Sequence, residues 1–478
     1  MAVDPYGGHD LPHPLRPLLS DIVGSDYVAD SDFAIWAYSR DSSGFPPRTP
    51  GIIVRPETTG QVSEIVRLAN REGISIVPRG GGTAYGRPPG DPGRSICIDL
   101  TRMRSLLDLN EVNRTVTVEA GMVCTELETR LRGQGLYAHT VYGPADSVTV
   151  GGVVSGVSGG GGGQMFSSAG HNEPYIVGVK AVLPTGEVIE TGTRSNTRAG
   201  MFAPVAHGPN LTGLFVGHMG IFGITTEVTL QVFPWPPYEE FGGVNYRYER
   251  LEDAYKAFLA LALQPEKPFS LLGLMGPGPK GIARTSDWWI AYKVHGFTPA
   301  EVNAKLELAK RAINEAPSPE EWNSPAVRKL GEKILKYPHD VMPRRLGMWS
   351  MPEPLAPRDG TLELVRGILE LMEGELKGWE GRFRSGGSAI WMHGEQNYLS
   401  FPFYHDESDF EARDKSLEVW KKAADLCVQM GAMFCVLDKE IGDICAAYFP
   451  PEYRKLLTQL KAGIDPNNIM NPHLLGMP

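Results

Sequence analysis

The residues of this chain that are best placed to do chemistry are glycines, grouped in three loops. The first group, Val77–Gly86 (VPRGGGTAYG), places three consecutive glycines after the apolar run Ile74–Val77. The second is Thr149–Gly163, and the third is Gly217–Gly223, which leads into the alternating run Ile224–Val232. Residues without a Cβ let backbone amides close around an anion. Three such loops at strand edges indicate a long phosphorylated cofactor wrapped by backbone.

Two other interpretations of these loops compete with this one. Taken alone, Gly159–Gly163 is typical of a turn or a flexible linker. A Rossmann site requires a strand, a G-x-G-x-x-G loop, a helix and a later acidic residue, and none of the three loops provides that set. The loops therefore require another fold.

The segments around the loops predict a mixed α+β pattern. A helix is predicted over Pro56–Asn70, where Thr58 or Thr59 can cap it and apolar residues share one face. Two alternating runs, Val177–Leu183 and Glu187–Thr191, predict a hairpin.

A domain boundary is indicated at Pro234-Trp235-Pro236-Pro237, because three prolines in four residues cannot continue the preceding strand. We predict a first domain over residues 1–236, a second over 237–440 and a C-terminal segment over 441–478. Apolar periodicity predicts the elements of the second domain, which are the helices Leu251–Leu263, Pro299–Ala316, Gly360–Gly378 and Glu407–Met430 and the strand-like stretches Trp288–Val294 and Ser388–Phe403.

Composition limits the kinds of partner. The chain has 478 residues, a formal net charge of −10 and no long basic run, which argues against nucleic acid and anionic membranes and favours small molecules. Residues 1–15 have neither a basic nor an apolar leader pattern, and no apolar stretch reaches spanning length, so we expect a cytoplasmic location without a membrane span. The five cysteines form no C-x-x-C pair, which favours buried thiols over an iron–sulfur cluster or a zinc knuckle.

Five segments, in order, resemble the vanillyl-alcohol oxidase and p-cresol methylhydroxylase (PCMH) superfamily of flavoproteins, which includes glycolate oxidase and D-lactate dehydrogenase subunits. They are Pro78–Gly86, Gly143–Gly152, Val177–Gly192, Gly213–Thr226 and Asp465–Pro472. The resemblance implies a PCMH-type FAD-binding domain of two α/β subdomains, with an α+β cap domain carrying an antiparallel sheet. It also implies that the C-terminal segment returns to the FAD domain, so that the cap is an insertion.

The resemblance also implies which residues bind FAD. The expected contacts are Arg79, Gly80, Gly81, Gly82 and Thr83 at the pyrophosphate; Thr149, Gly152 and Ser155 along the ribityl and phosphate side; Gly220 and Ile224 at the adenine end; and Asn471 at the isoalloxazine. Backbone amides can neutralise a diphosphate without a lysine. For any single glycine, tight-turn geometry explains the residue equally well.

Two residues have candidate catalytic roles by resemblance. Tyr85 is similar to the tyrosine with which phenol-oxidising members bind a substrate phenolate, and simple packing is the alternative. Asp146 lies at or within two residues of the acidic position beside the flavin N5, where a carboxylate can take a proton or stabilise a cationic transition state. An Asx turn that opens the loop is its alternative.

The chain departs from several family patterns. Covalently flavinylated members use a His or Tyr in the cap, but residues 345–354 (RLGMWSMPEP) contain neither, so we expect non-covalent FAD. Phenol oxidases place an adjacent Tyr-Arg pair where this chain has Met433-Phe434-Cys435, and Tyr453-Arg454 lies too close to the tail to be equivalent.

The metal set of the hydroxy-acid dehydrogenases is also incomplete. His393 resembles its first histidine, but Ser400 and Asp438-Lys439-Glu440 stand where the other ligands belong. Two or three oxygen and nitrogen ligands could still hold a metal. Because the set is incomplete, we assign no metal ligand and interpret His393 as a hydrogen-bonding group beside the flavin or the substrate. Nearby aromatic residues are interpreted as the floor of an apolar pocket, with ordinary core packing as the alternative; they are Trp391, Tyr398, Phe401, Phe403 and Tyr404.

Three functions follow from these observations. The leading one is an FAD-dependent oxidoreductase that removes hydride from an alcohol or activated C–H carbon of an aromatic or bulky substrate. The second is a 2-hydroxy-acid dehydrogenase of the glycolate or D-lactate type. The third is a flavin-carrying electron-transfer subunit with a degenerate substrate site. The electron acceptor, O2 or a protein, and homo-oligomerisation stay open at this point.

Overall fold

The structure is a computed structural model that describes residues 13–40, 45, 47–83, 94–138, 146–156, 176–205, 207–265, 268–282, 287–322, 325, 328–329, 332, 347–393, 395–434 and 439–477. Tyr85 lies outside the described residues. The side chain of His393 is likewise outside them, although its backbone is described.

The N-terminal half holds five helices and eleven strands within the described ranges. The helices are α1 (Arg16–Val23), α2 (Asp32–Tyr38), α3 (Thr59–Glu72), α4 (Cys124–Arg132) and α5 (Val150–Gly156). The strands are β1 (Val28–Ala29), β2 (Ile52–Val54), β3 (Ile76–Arg79), β4 (Ile96–Asp99), β5 (Leu106–Asn110), β6 (Thr115–Glu119), β7 (Leu136–Tyr137), β8 (Ile176–Val182), β9 (Val188–Glu190), β10 (Ile224–Gln231) and β11 (Phe233–Pro234).

These strands form two main sheets. The first has the order β1-β2-β4-β3, with β2 and β3 parallel to β4. The second has the order β5-β6-β10-β8-β9 and is antiparallel throughout. One hydrophobic core joins them, since Val62 and Ile65 of α3 pack with Ile52 of the first sheet and with Val182 and Ile224 of the second.

The first glycine loop is positioned by α3 and β3. Thr58 caps α3, as predicted, by accepting a hydrogen bond from the amide of Gln61 at 3.2 Å. The strand predicted over Ile74–Val77 begins two residues later, because Gly73 adopts φ +65° and the Ile74 amide donates to the Ala69 carbonyl at 2.9 Å. Ile74 therefore completes the helix terminus instead of starting the strand.

The second half holds the remaining elements. The helices are α6 (Leu251–Ala262), α7 (Pro299–Asn314), α8 (Thr361–Glu375), α9 (Phe410–Gln429), α10 (Lys439–Ala447) and α11 (Pro451–Ile464). The strands are β12 (Tyr238–Arg247), β13 (Phe269–Gly276), β14 (Asp287–Gly296), β15 (Glu321–Trp322), β16 (Met348–Ser350), β17 (Pro354–Ala356), β18 (Phe383–Ser385), β19 (Ser388–His393), β20 (Gln396–Ser400), β21 (Phe403–His405) and β22 (Met433–Phe434). Short 3-10 helices cover Ser25–Tyr27, Gly192–Ser195, Leu211–Phe215 and Tyr248–Arg250.

The cap sheet is antiparallel, as predicted, with eight strands in the order β15-β12-β14-β13-β19-β20-β17-β22. The stretch 388–403, predicted only as strand-like, folds into the antiparallel pair β19 and β20 and the first residue of β21. Ile390 and Met392 of β19 belong to the large core that also holds Phe258 of α6 and Ile368 of α8. Since side chains alternate along a strand, Trp391 lies on the opposite face of the sheet.

No helix among the described residues has both the length and the apolar character needed to cross a membrane. Four of the cysteines are described as free thiols, and three of these, Cys97, Cys124 and Cys427, are buried.

Candidate cofactor-binding site

The first glycine loop follows β3, and its backbone amides are its hydrogen-bond donors. None of the amides of Gly80, Gly81 and Gly82 donates to another of the described residues. Gly81 is exposed and its two neighbours are half-buried. Gly82 has φ +64°, which glycine adopts without strain. The loop therefore presents three consecutive N–H groups that an anion can accept from.

The second loop lies directly against the first. A Cβ on Gly80 would lie 2.2 Å from Oγ1 of Thr149, and one on Gly81 would lie 1.8 Å from the carbonyl oxygen of Ser147. Thr149 is buried, and its Oγ1 accepts a hydrogen bond from the amide of Gly152 at 3.2 Å. Gly80 and Gly81 are thus required by the close approach of Thr149 and of Ser147, which lies two residues before the second loop.

The third loop lies against the second loop and against β3. The amides of Gly217 and Met219 donate to the carbonyls of Val154 and Ser155, at 2.8 and 2.7 Å. Gly220 has φ +78°, and a Cβ there would lie 2.5 Å from Cγ of Pro78 in β3. The described parts of the three loops, residues 77–83, 149–156 and 217–223, are therefore contiguous in space, while residues 84–86 and 157–163 lie outside the described residues.

The C-terminal tail returns to these loops. The amide of Asn471 donates to the carbonyl of Ile76 at 2.8 Å, and its side-chain Nδ2 donates to the carbonyl of Met219 at 2.6 Å. The amide of Ile76 in turn donates to the carbonyl of Ile469 at 2.7 Å. The tail thus lies beside β3, where it connects the first loop to the third.

Arg79 ends β3 directly before the loop, and its guanidinium lies beside Gly82 and Tyr38. Nη1 donates to the carbonyl of Arg40 at 3.2 Å, and the guanidinium lies 5.2 Å from the ring centroid of Tyr38. A Cβ on Gly82 would lie 2.1 Å from Nη2 of Arg79. The hydroxyl of Tyr38 donates to Asp99, and burial is the main cause of the raised pKa of Tyr38.

The remaining expected site residues fall in different places. Ile224 begins β10 with its side chain buried in the core, so only its backbone is available to a ligand. Asp146 is exposed and immediately precedes Ser147, the residue that contacts Gly81. His393 ends β19 opposite Gln396 in the hairpin.

A buried lysine that the sequence analysis did not predict contacts the third loop and the C-terminal tail. Lys461 of α11 is 5% exposed, and its Nζ donates to the carbonyls of Ile221 and Met470 at 3.0 and 2.7 Å and to Asp465 at 2.5 Å. Burial lowers the pKa of Lys461, and the carboxylate of Asp465 opposes that shift. The only sequence hint is the Lys and Asp spacing of four residues at a helix end.

The cap holds a second buried charge that sequence patterns did not reveal. Glu353, which precedes β17, is buried and accepts a hydrogen bond from the hydroxyl of Tyr398. Its other oxygen, Oε2, has no hydrogen-bond partner among the described residues. Burial raises the pKa of Glu353 to about 8, so the carboxyl is largely protonated at neutral pH. Tyr398 is the cross-strand partner of Trp391, which places all three on one face of the cap sheet.

Comparisons with known proteins agree with this geometry. A family model described as "FAD binding domain" matches residues 50–192, which include the first two loops. The structure is similar to 4-ethylphenol oxidase from Gulosibacter chungangensis in its isoeugenol complex, with a TM-score of 0.80 at 18% identity and 98% of each chain covered. It is also similar to p-cresol methylhydroxylase with substrate bound, with a TM-score of 0.76 at 16% identity, over 96% of this chain and 95% of that one. The chain therefore has the fold of these two proteins, and its residues 50–192 match an FAD binding domain.

Curated relatives in sequence include oxidoreductases. An uncharacterized FAD-linked oxidoreductase of Mycobacterium tuberculosis is 31% identical over 216 residues, 45% of each chain. The glycolate oxidase subunit GlcD of Bacillus subtilis is 29% identical over 224 residues, 46% of this chain and 45% of that protein. The D-lactate dehydrogenase of Anaerostipes hadrus is 29% identical over 241 residues, 50% of this chain and 46% of that protein. The alignments thus span about half the length of the curated relatives.

Proposed function

We propose that this chain is an FAD-dependent oxidoreductase that removes hydride from an alcohol or activated C–H carbon of an aromatic or bulky substrate. The observation that carries the proposal is that the three glycine loops and Asn471 lie together beside β3 and its end, where the amides of Gly80, Gly81 and Gly82 donate to none of the described residues. FAD, when bound, supplies the hydride acceptor.

The donor set suits a dinucleotide diphosphate. Consecutive backbone amides can hold an anion without a charged side chain. Gly81 is exposed, whereas Thr149 and Gly220 are buried. The surface at Gly80–Gly82 is therefore formed by backbone, because glycines have no side chain. In this proposal Gly80–Thr83 hold the pyrophosphate, Thr149, Gly152 and Ser155 flank it, and Asn471 lies toward the ring system.

We propose that FAD is bound without a covalent bond, because residues 345–354 contain neither His nor Tyr. Acid or denaturant should then release the flavin from the polypeptide. Flavin fluorescence that migrates with the denatured protein band would contradict this part of the proposal.

For the substrate, we propose Tyr85 as the hydroxyl that binds a phenolate, Asp146 as the carboxylate near the reacting carbon and His393 as a further hydrogen-bonding group. The buried aromatic pair Trp391 and Tyr398 on the cap sheet supports an aromatic substrate. The names of two fold neighbours, 4-ethylphenol oxidase and p-cresol methylhydroxylase, point the same way.

A 2-hydroxy-acid substrate is the second candidate. It is favoured by the relatives, which include a glycolate oxidase subunit and D-lactate dehydrogenases. The two candidates differ in how substrate is held: a phenol requires a hydroxyl partner such as Tyr85, whereas a hydroxy acid requires groups that bind a carboxylate.

An anaerobic spectral titration of the purified holoprotein tests the proposal. We expect p-alkylphenols or benzylic alcohols to bleach the flavin band, and we expect glycolate and D-lactate to leave it unchanged. Bleaching by hydroxy acids alone would replace the leading function with the second. Absence of any flavin after reconstitution with FAD would overturn both. Admitting O2 or a dye acceptor to the reduced protein then distinguishes oxidase from dehydrogenase.

A further inference from the structure

Lys461 contacts two separate parts of the cofactor site at once. One hydrogen bond goes to the carbonyl of Ile221 in the third glycine loop, and another goes to the carbonyl of Met470 in the tail. These carbonyls lie 249 residues apart in sequence, yet a single ammonium group binds both. The third acceptor is the carboxylate of Asp465, one helical turn after Lys461.

Asp465 extends this arrangement along the tail. Its Oδ1 accepts from the amide of Ile469 at 3.1 Å and its Oδ2 from the amide of Met470 at 2.8 Å. Those residues precede Asn471, whose backbone and side chain reach β3 and the third loop. The carboxylate therefore fixes the turn that brings Asn471 to its place.

The polar contacts of Lys461 match its donor capacity. An ammonium group has three N–H bonds, and Lys461 has three acceptors. Lys461 is 5% exposed and Asp465 is 1% exposed, so water does not compete for these bonds. A charge this deeply buried is retained only where its bonds are made well.

We propose that Lys461 is a positioning residue for FAD binding, holding the third glycine loop and the Asn471 tail at the spacing that the cofactor needs. The inference rests on the proposed FAD function. It assigns Lys461 a role in cofactor affinity that is separable from its role in the stability of the fold.

Two variants separate these roles. Lys461→Met removes the ammonium and leaves the carboxylate of Asp465 buried without its counter-ion, so it lowers both the melting temperature and FAD affinity. Lys461→Met combined with Asp465→Asn removes the unpaired charge, so thermal stability of the apoprotein rises above that of Lys461→Met. Asp465→Asn alone, measured beside it, reports the effect of changing the acceptors of Ile469 and Met470. The double variant still lacks the hydrogen bond from Lys461 to the Ile221 carbonyl. We therefore expect its FAD affinity to stay about tenfold or more below that of the wild type, which is the effect of losing a hydrogen bond from a charged group. Lys455→Met, an exposed lysine on the same helix, is the matched control.

The readouts are FAD affinity, from quenching of flavin fluorescence, and the melting temperature of the apoprotein. Recovery of both quantities in the double variant would overturn the inference and leave the FAD function intact. Failure of wild type and control to bind FAD would instead overturn the proposed function.

Hydrogen exchange on the wild type provides a test that does not depend on any variant folding. We expect added FAD to protect the amides of residues 217–223 and 465–471 together. Protection of one segment without the other would overturn the inference.

Discussion

Asn471 donates its side-chain amide to the carbonyl of Met219 at 2.6 Å, across 252 residues of sequence. Met219 has φ +52° and Asn471 has φ +40°, so both partners hold uncommon backbone conformations for residues with side chains. The bond joins the last part of the chain to the third glycine loop. FAD binding should therefore depend on both ends of the contact.

Asn471→Asp replaces this donor with a carboxylate that faces a carbonyl. We expect FAD affinity to fall by about fivefold to a hundredfold, because a hydrogen bond worth roughly 1–3 kcal/mol is lost. Asn467→Asp is the control: the side-chain amide of Asn467 donates to Asn70 at 2.9 Å on the exposed surface. Fluorescence titration with FAD measures both, and equal affinities would remove the Asn471 side chain from the site.

Gly81→Ala should disrupt the contact between the first two loops. The new Cβ would lie 1.8 Å from the carbonyl oxygen of Ser147, so the loops must separate. Overpacking of this kind typically costs about 1–3 kcal/mol in stability. We expect a lower melting temperature and loss of bound FAD. Gly213→Ala, with no atom within 4 Å of its Cβ, should change neither quantity. A Gly81→Ala protein with full flavin content would show that the loop is not at the cofactor.

Glu353→Gln should change how stability depends on pH. Burial raises the pKa of Glu353 from 4.5 to about 8, so the folded state keeps a proton that the unfolded chain releases above pH 4.5. Stability of the wild type therefore falls as pH rises from 4.5 toward 8, by about 1.4 kcal/mol per pH unit from this residue. Glutamine has no such dependence.

Thermal unfolding from pH 5 to pH 9 measures this effect. We expect Glu353→Gln to gain stability relative to wild type up to about pH 8 and to keep a constant difference above it. Glu363→Gln, at an exposed glutamate in the first turn of α8, is the control for the chemical substitution itself. A pH-independent difference for Glu353→Gln would mean that the carboxyl is ionised in the folded protein.

Tyr85→Phe tests the phenolic substrate. If its hydroxyl binds the substrate oxygen, flavin reduction by a phenol should slow by roughly tenfold to a hundredfold, with FAD binding unchanged. Reduction by a hydroxy acid should not change. Anaerobic stopped-flow measurement compares the two rates, with Tyr238→Phe, at an exposed position, as the control. Equal rates with a phenol would remove Tyr85 from the proposed site.

The glycine loops could be predicted because their role depends on residue type. Gly80, Gly81 and Gly220 lie where a Cβ would collide with Thr149, Ser147 or Pro78, and only glycine fits such approaches. The fold and the antiparallel cap sheet followed from the resemblance of five segments to known flavoproteins, whereas a single strand could be predicted from the residue pattern of Trp288–Val294, which lies in β14.

Lys461 and Glu353 could not be predicted in the same way. Each residue type is usually exposed, so a sequence pattern does not predict that it is buried as a charged or ionisable group. Their environments come from distant residues: the Ile221 carbonyl for Lys461 and the Tyr398 hydroxyl for Glu353. A sequence pattern reports spacing along the chain, whereas these contacts depend on tertiary packing.

The return of the tail also affects how the protein is made. A ribosome releases residues 76–83 and 217–223 well before residues 461–471, with the whole cap translated between them. Until the tail emerges, β3 has no Ile469 or Asn471 beside it, and the third loop has neither of its side-chain donors. Under the proposed function, nascent chains should therefore stay unable to capture the cofactor until residues 461–471 have emerged, and contacts this distant in sequence form slowly.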